Sequence, residues 1–315
     1  MLLEIRDWIR AVLNICDIRV AQRLHDPYIP VQPVAERAMS ENPLYRHGGS
    51  FHPEQPWFVL NAAQHYSVIA SENPAISHFY SFDVAQSAGM TLAIPDGCVD
   101  IVFDCDPLNP KGRVCGTTLE ARGADMLHNH HYFGVRFAPG VIPDFLDVMA
   151  EEIPDHEFSF LDVVPDARLA FEQIVQSHSF SQQISLFNAH FTPRLVRKAS
   201  SVTAFIIHAM RQQRGNIRID QLEALTGYTC RTIQRQFRQD TGLSPKAFSR
   251  ILRCQSALTS IHAQGDISFS DLAFNLGFSD QSHFLREFKK FVSTTPCDYQ
   301  HRIAHDALFH RLRYH

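Results

Sequence analysis

Gly227-Tyr-Thr-Cys-Arg-Thr-Ile-Gln-Arg-Gln-Phe-Arg-Gln-Asp-Thr-Gly-Leu-Ser-Pro245 returns in altered form 50 residues later, as Gly277-Phe-Ser-Asp-Gln-Ser-His-Phe-Leu-Arg-Glu-Phe-Lys-Lys-Phe-Val-Ser-Thr-Thr-Pro296. In each copy a glycine closes an apolar segment. A hydroxyl residue, Thr229 or Ser279, then stands where a helix N-cap belongs, ahead of a helix with a basic, polar outer face. Two helix-turn-helix units in one chain are the expectation, and a doubled reading head is the pattern of sequence-specific binding to double-stranded DNA.

In the first unit Ile219–Thr226 is the expected support helix, with Leu222 and Leu225 inward, and the reading helix runs from about Cys230 to Asp240. Ile233 and Phe237 anchor it, which leaves Arg231, Gln234, Arg235 and Arg238 on the opposite face. In the second unit Phe269–Leu276 supports a helix capped by Ser279 and ending near Val292. There Phe284 and Phe288 point inward and Gln281, Ser282, Leu285, Arg286 and Lys289 outward. Arginine forks suit guanine and glutamine amides suit adenine in a major groove. Leu285 suits a thymine methyl, or is simply a surface leucine. Lys246, Lys289 and Lys290, with Arg238 and the helix N-termini at Thr229 and Ser279, are the expected phosphate contacts. Between the units a helix from Pro245 to about Gln264, capped by Ser244, spans roughly 30 Å. One DNA turn is about 34 Å, so a rigid spacer of that length presents both reading helices to successive major grooves.

Residues 195–303 resemble the DNA-binding domain of the AraC/XylS family of bacterial transcription regulators. The residues that carry the likeness are Arg253-Cys-Gln-Ser-Ala-Leu258, Leu272-Ala273, Gly277-Phe278, Phe284 with Phe288, and Thr295-Pro296. The resemblance implies base contacts by Arg231, Gln234 and Arg235 in the first unit, and by Gln281, Ser282, Leu285 and Arg286 in the second. One position departs from the pattern. The small residue after the support-helix leucine is Ala273 in the second unit but Glu223 in the first, which predicts looser packing or a pairing of Glu223 with an arginine. Pro95-Asp-Gly-Cys-Val-Asp-Ile-Val-Phe103 and Phe133-Gly-Val-Arg-Phe-Ala-Pro-Gly140 resemble an N-terminal domain that accompanies some AraC-type regulators. By analogy with the family, that domain would sense a small molecule and form a homodimer, and RNA polymerase is a further possible partner.

The charge distribution agrees. From Arg194 onward there are 18 Lys and Arg against 9 Asp and Glu, which leaves 11 of the chain's 29 basic and 24 of its 33 acidic residues to the rest. A basic half meets a polyanion and an acidic half is kept off it. Seven cysteines without framework spacing read as reduced thiols in a cytoplasmic protein. No apolar run approaches the roughly 18 residues of a membrane span, so no membrane partner is expected. Charges among the first ten residues argue against a secretion signal, and residues 5–16 instead read as an amphipathic helix.

The expected fold class is α+β: an extension over 1–50, a β-rich barrel or sandwich with C-terminal helices over 51–190, and an all-helical domain over 195–315. Strands are expected at 57–62, 66–70, 78–84, 90–94, 99–105, 113–118 and 126–137. Helices are expected near 141–150, 167–177 and 181–190, the last two as a seam to the DNA-binding half or a dimer interface. Candidate effector contacts are Trp57, His128, His130 and Arg136, with His128 and His130 on one face of a strand. Two histidines without a third ligand do not make a metal site, and no cofactor or catalytic group is expected. Two rival readings follow from the residues: a DNA-targeted enzyme using Cys98 as nucleophile, and a constitutive DNA binder whose N-terminal half only dimerises.

Overall fold

Strands β1 (Ala62–Ala70), β2 (Ile76–Val84), β4 (Asp100–Asp104) and β7 (His131–Phe137) are rich in aromatic and β-branched residues and form the centre of a seven-stranded sheet. The computed structural model describes residues 54–86, 89–195, 199–263, 267–305 and 311–314; the amphipathic helix expected near the N-terminus lies outside them. With β5 (Lys111–Cys115), β8 (Glu157–Ser159) and β9 (Leu312–Tyr314) the order is β8-β5-β4-β7-β2-β1-β9. All neighbours are antiparallel except β1 and β9. A two-stranded sheet pairs β3 (Thr91–Ala93) with β6 (Arg122–Ala124). The sheet is open, so the architecture is sandwich-like rather than a closed barrel.

Strand alternation sends side chains to two different layers. Phe79, Ile101, Phe103, Phe133, Val135 and Phe137 face helices. Those helices are α2 (Phe160–Val163), α3 (Arg168–Gln176) and α4 (Phe180–Phe191), which bury Phe171, Ile174, Phe187 and Phe191 against the sheet. The apolar faces of α3 and α4 therefore pack into the core of the N-terminal half rather than forming the expected seam to the DNA-binding half. No helix forms over 141–150, where Pro143 interrupts the pattern and turns follow.

On the other sheet face Tyr66, Tyr80, Phe82, Val102 and Tyr132 join one continuous apolar cluster with the C-terminal half. The expected strand at 57–62 is a helix, α1 (Pro56–Asn61), buried along its whole length between the two halves. Uniform burial removes the period that separates helix from strand, and Pro56 at its first position favours the helix.

The C-terminal half comprises α5 (Ser201–Gln212), α6 (Ile219–Thr226), α7 (Cys230–Thr241), α8 (Pro245–Ala263), α9 (Phe269–Asn275), α10 (Gln281–Val292) and α11 (Pro296–His305). It is not wholly helical, because β9 returns to pair in parallel with β1, Tyr66 opposite Leu312. Arg311 fixes this return by donating to the Leu60 and Ala62 carbonyls at 2.8 and 2.7 Å. Among the described residues no helix is long and apolar enough to cross a membrane.

Candidate nucleic-acid interface

Gly227 and Gly277 end α6 and α9 with φ of +74° and +73°, left-handed values that a side chain resists. Each turn delivers the chain into a reading helix, α7 or α10. Ile233, Phe237, Phe284 and Phe288 are fully buried and lock these helices by their inner faces. Phe237 packs edge-on to Phe248 of α8, the rings 5.5 Å apart, and Phe288 meets Tyr299 of α11 at 5.8 Å. The opposite faces carry Arg231, Gln234 and Arg235 on α7, and Gln281, Ser282, Leu285 and Arg286 on α10, all exposed. Both stripes lie open with amide and guanidinium donors, the groups a major groove accepts.

The N-termini of the two reading helices differ from expectation. Thr229 does cap α7, its hydroxyl accepting the Thr232 N–H at 3.4 Å, and the Glu223 carboxylate accepts the next free N–H, that of Cys230. Glu223 thus pairs with the helix end rather than with an arginine. In α10 the cap is Asp280 and not Ser279: Asp280 accepts the His283 N–H at 2.7 Å. This N–H bond holds the Asp280 carboxyl below the usual carboxylate range. The Ser279 hydroxyl bonds to Asp280 and to the His283 ring. A carboxylate from within the protein takes one N–H at each helix end, which places negative charge beside the two N-termini expected to meet phosphate. Removing the Glu223 carboxylate leaves a helix-end donor unpaired. Glu223→Ala is expected to lower stability by about 0.5–2 kcal/mol, and Glu223→Gln, which keeps an acceptor, by less; urea titration measures both.

Among the expected phosphate contacts, Lys246 and Lys289 are exposed. Arg238 pairs with Glu151 at 3.5 Å and Lys290 with Glu120 at 2.5 Å. Glu120 and Glu151 both belong to the acidic half, and the Ala121 N–H also donates to the Lys290 carbonyl at 3.1 Å. Each helix-turn-helix unit therefore touches an acidic residue of the N-terminal half at the edge of its reading stripe.

The expected effector residues do not converge. Trp57 lies in α1, donates to the Val292 carbonyl at 3.2 Å and stacks beneath Arg302, a contact between the halves. His128 and His130 sit in a turn, because Asn129 adopts φ +61° and the strand starts only at His131. His128 is exposed and His130 bonds Asp104 at 2.9 Å. Arg136, at the far end of β7, is buried and pairs with Asp100 at 2.7 Å and Asp96 at 3.4 Å. Cross-strand register places Asp100 opposite Arg136. Burial pushes the Asp100 carboxyl up to about 6, against the pull of Arg136. Cys98 is 1% exposed, and burial lifts its thiol well above the ordinary range, which removes the thiolate that a nucleophile requires. Among the described residues no group of three metal-ligating side chains occurs.

Two exposed, donor-bearing helices on doubled helix-turn-helix supports define a class of DNA-binding regulators, and sequence comparison places the chain within it. A helix-turn-helix domain profile matches residues 222–302, and a domain of unknown function, DUF6597, matches residues 73–159. The probable transcription factor PqrA of Proteus vulgaris is 34% identical over 89 residues, 28% of this chain and 72% of that protein. The HTH-type transcriptional activator RhaS of Pectobacterium carotovorum subsp. carotovorum (strain PC1) is 36% identical over 72 residues, 23% of this chain. The chain spans about a quarter of that relative's length, 25%. A solved probable AraC family transcriptional regulator from Rhodopseudomonas palustris CGA009 shares 27% identity, over 33% of this chain and 97% of its own, with a TM-score of 0.30. The chain belongs to the AraC/XylS family of transcription regulators, and its curated relatives are regulators rather than enzymes.

Proposed function

We propose that the chain binds a specific DNA sequence through residues 195–303 and regulates transcription, and that its β-rich half over 51–190 adjusts that binding in response to a small molecule. The observation that carries this reading is the pair of exposed stripes on α7 and α10, each opposite a buried aromatic anchor. Arg231, Gln234, Arg235, Gln281, Ser282, Leu285 and Arg286 read bases, and Lys246, Lys289 and Lys290 contact phosphate. Arg238 joins the phosphate contacts when Glu151 releases it, as Lys290 does when Glu120 releases it. A homodimer of such a protein would place two copies on adjacent or inverted half-sites. A cavity in the β-rich half, lined by Asp96, Asp100 and Arg136 among apolar residues, supports an effector-responsive regulator over a constitutive one.

The test is selection of a preferred duplex from a random library with the full chain, followed by affinity measurements on variants. Arg231→Ala is expected to cost about 1–3 kcal/mol on the selected duplex and to relax preference at one base position. Lys289→Ala weakens all duplexes alike and flattens the salt dependence by about one phosphate contact. Equal loss on selected and random DNA for Arg231→Ala removes it from base reading.

A further inference from the structure

A cavity of about 50 Å³ opens within the β-rich half, on the sheet face that carries Tyr80, Asp100 and Arg136. At roughly 10–15 Å³ per water-sized group, it holds a molecule of about four non-hydrogen atoms. Its wall is mostly apolar, with Phe58, Ile94 and Val102 among its residues, and buried polar groups interrupt it. Asp96 is 2% exposed, Asp100 9% and Arg136 4%. The Thr118 hydroxyl, 7% exposed at the residue, has no hydrogen-bond partner among the described residues. At the mouth Arg113 and Glu157 pair at 3.5 Å and offset each other.

The charges inside do not balance. Two carboxylates, Asp96 and Asp100, face one guanidinium, and that guanidinium is already occupied: Arg136 reaches Asp100 through Nε at 2.9 Å and Nη2 at 2.7 Å, and Asp96 through Nη1 at 3.4 Å. An anionic ligand finds no free cation here and meets surplus negative charge. A carboxylate offers about four acceptor sites. Asp96 accepts the Cys98 N–H and the Gln55 amide, which leaves capacity for a further donor. A buried unpaired hydroxyl is costly unless something fills its need, and the Thr118 oxygen can accept an N–H or exchange a hydrogen bond with a ligand hydroxyl.

We propose that this cavity binds a small organic monocation, an alkylammonium of about four non-hydrogen atoms, with Asp96, Asp100 and Thr118 as its partners. Burial disfavours the charged form of Asp100, and a bound ammonium would offset that cost. The loop Pro95–Cys98 carries occupancy outward. Its Asp96 faces the cavity, the Pro95 carbonyl accepts from Gln255 of α8 at 2.9 Å, and the Phe248 ring of α8 lies against Gly97, where a Cβ would sit 2.9 Å from it. Helix α8 joins the two reading units, so a shift of this loop reaches both. This regulatory consequence rests on the DNA-binding reading above; the ligand site does not.

Thermal melting of the full chain with ethanolammonium chloride tests the site, with ethylene glycol and sodium glycolate as neutral and anionic controls of similar size and sodium chloride holding ionic strength constant. Ethanolammonium raises Tm saturably and binds about tenfold or more tightly than either control. Asp100→Asn and the cavity-filling Thr118→Leu each abolish the rise, and Thr118→Val, which keeps the shape and deletes the hydroxyl, weakens it. Equal effects of glycol or glycolate overturn the proposal, as does an ethanolammonium effect that survives in Thr118→Leu and Thr118→Val. The melt contains no DNA, so its failure is separate from any failure of DNA binding. In the regulatory arm, ethanolammonium changes affinity for the selected duplex at least threefold in the wild type and not in Thr118→Leu. An unchanged affinity beside intact ligand binding overturns the link through α8.

Discussion

Arg136→Met is expected to lower stability by about 3–5 kcal/mol, the largest loss at any single polar residue of the β-rich half. Methionine keeps the length of the side chain and fills its space, so packing changes little. What goes is, among the described residues, the only counter-ion of two carboxylates buried beside it, Asp96 and Asp100. The loss depends on pH in a stated direction. The Asp100 carboxyl lies near 6 in the folded chain, above its value of about 4 in an unfolded one. Its contribution is therefore full below about pH 4 and is lost as pH rises through 6. Without Arg136 the folded carboxyl moves higher still and the loss continues above pH 6. Urea titrations at pH 5 and pH 7.5 check this, since the gap between variant and wild type is expected to widen at the higher pH. Adding Asp100→Asn to Arg136→Met should recover part of the loss, because one stranded charge is then gone.

Phe248→Ala is expected to cost a similar 3–5 kcal/mol, and its effects spread further. The ring is fully buried, meets Phe237 of the first reading helix and fills the space above Gly97. Its removal leaves a cavity where the linker helix, the first reading unit and the loop of the β-rich half join. Denaturation gives the stability loss, and Phe248→Leu, which keeps most of the volume, should lose less. DNA affinity should fall more in Phe248→Ala than in Glu223→Ala, because the anchor of α7 loosens rather than its first turn.

Much of the interface was legible because its signals are local. Ile233 with Phe237 and Phe284 with Phe288 have the four-residue spacing that fixes the inner face of a helix, and the outer stripes follow by geometry. Where two neighbours can each serve as a cap, the choice between Ser279 and Asp280 depends on backbone angles, which the sequence alone does not determine. Asn129 shows the same limit. Its left-handed φ ends the turn one residue later than alternation implies and moves His130 off the strand. The remaining features depend on long-range pairing. Asp100 meets Arg136 only through the register of β4 against β7, and Glu120 and Glu151 meet Lys290 and Arg238 only because the halves pack together. No periodicity encodes such contacts. Trp57 was misplaced for the related reason that α1 is surrounded on all sides.

The strand β9 has a consequence for how the molecule is made. Residues 312–314 occupy an edge of the sheet whose nearest partner, β1, was synthesised about 250 residues earlier. Until residues 312–314 leave the ribosome, β1 presents open backbone donors and acceptors, a template for pairing with a neighbouring nascent chain. Closing a loop of that length is slow compared with forming the local hairpins. Deletion of residues 311–314 should therefore show first as poor recovery of protein from cells rather than as a weakened grip on DNA.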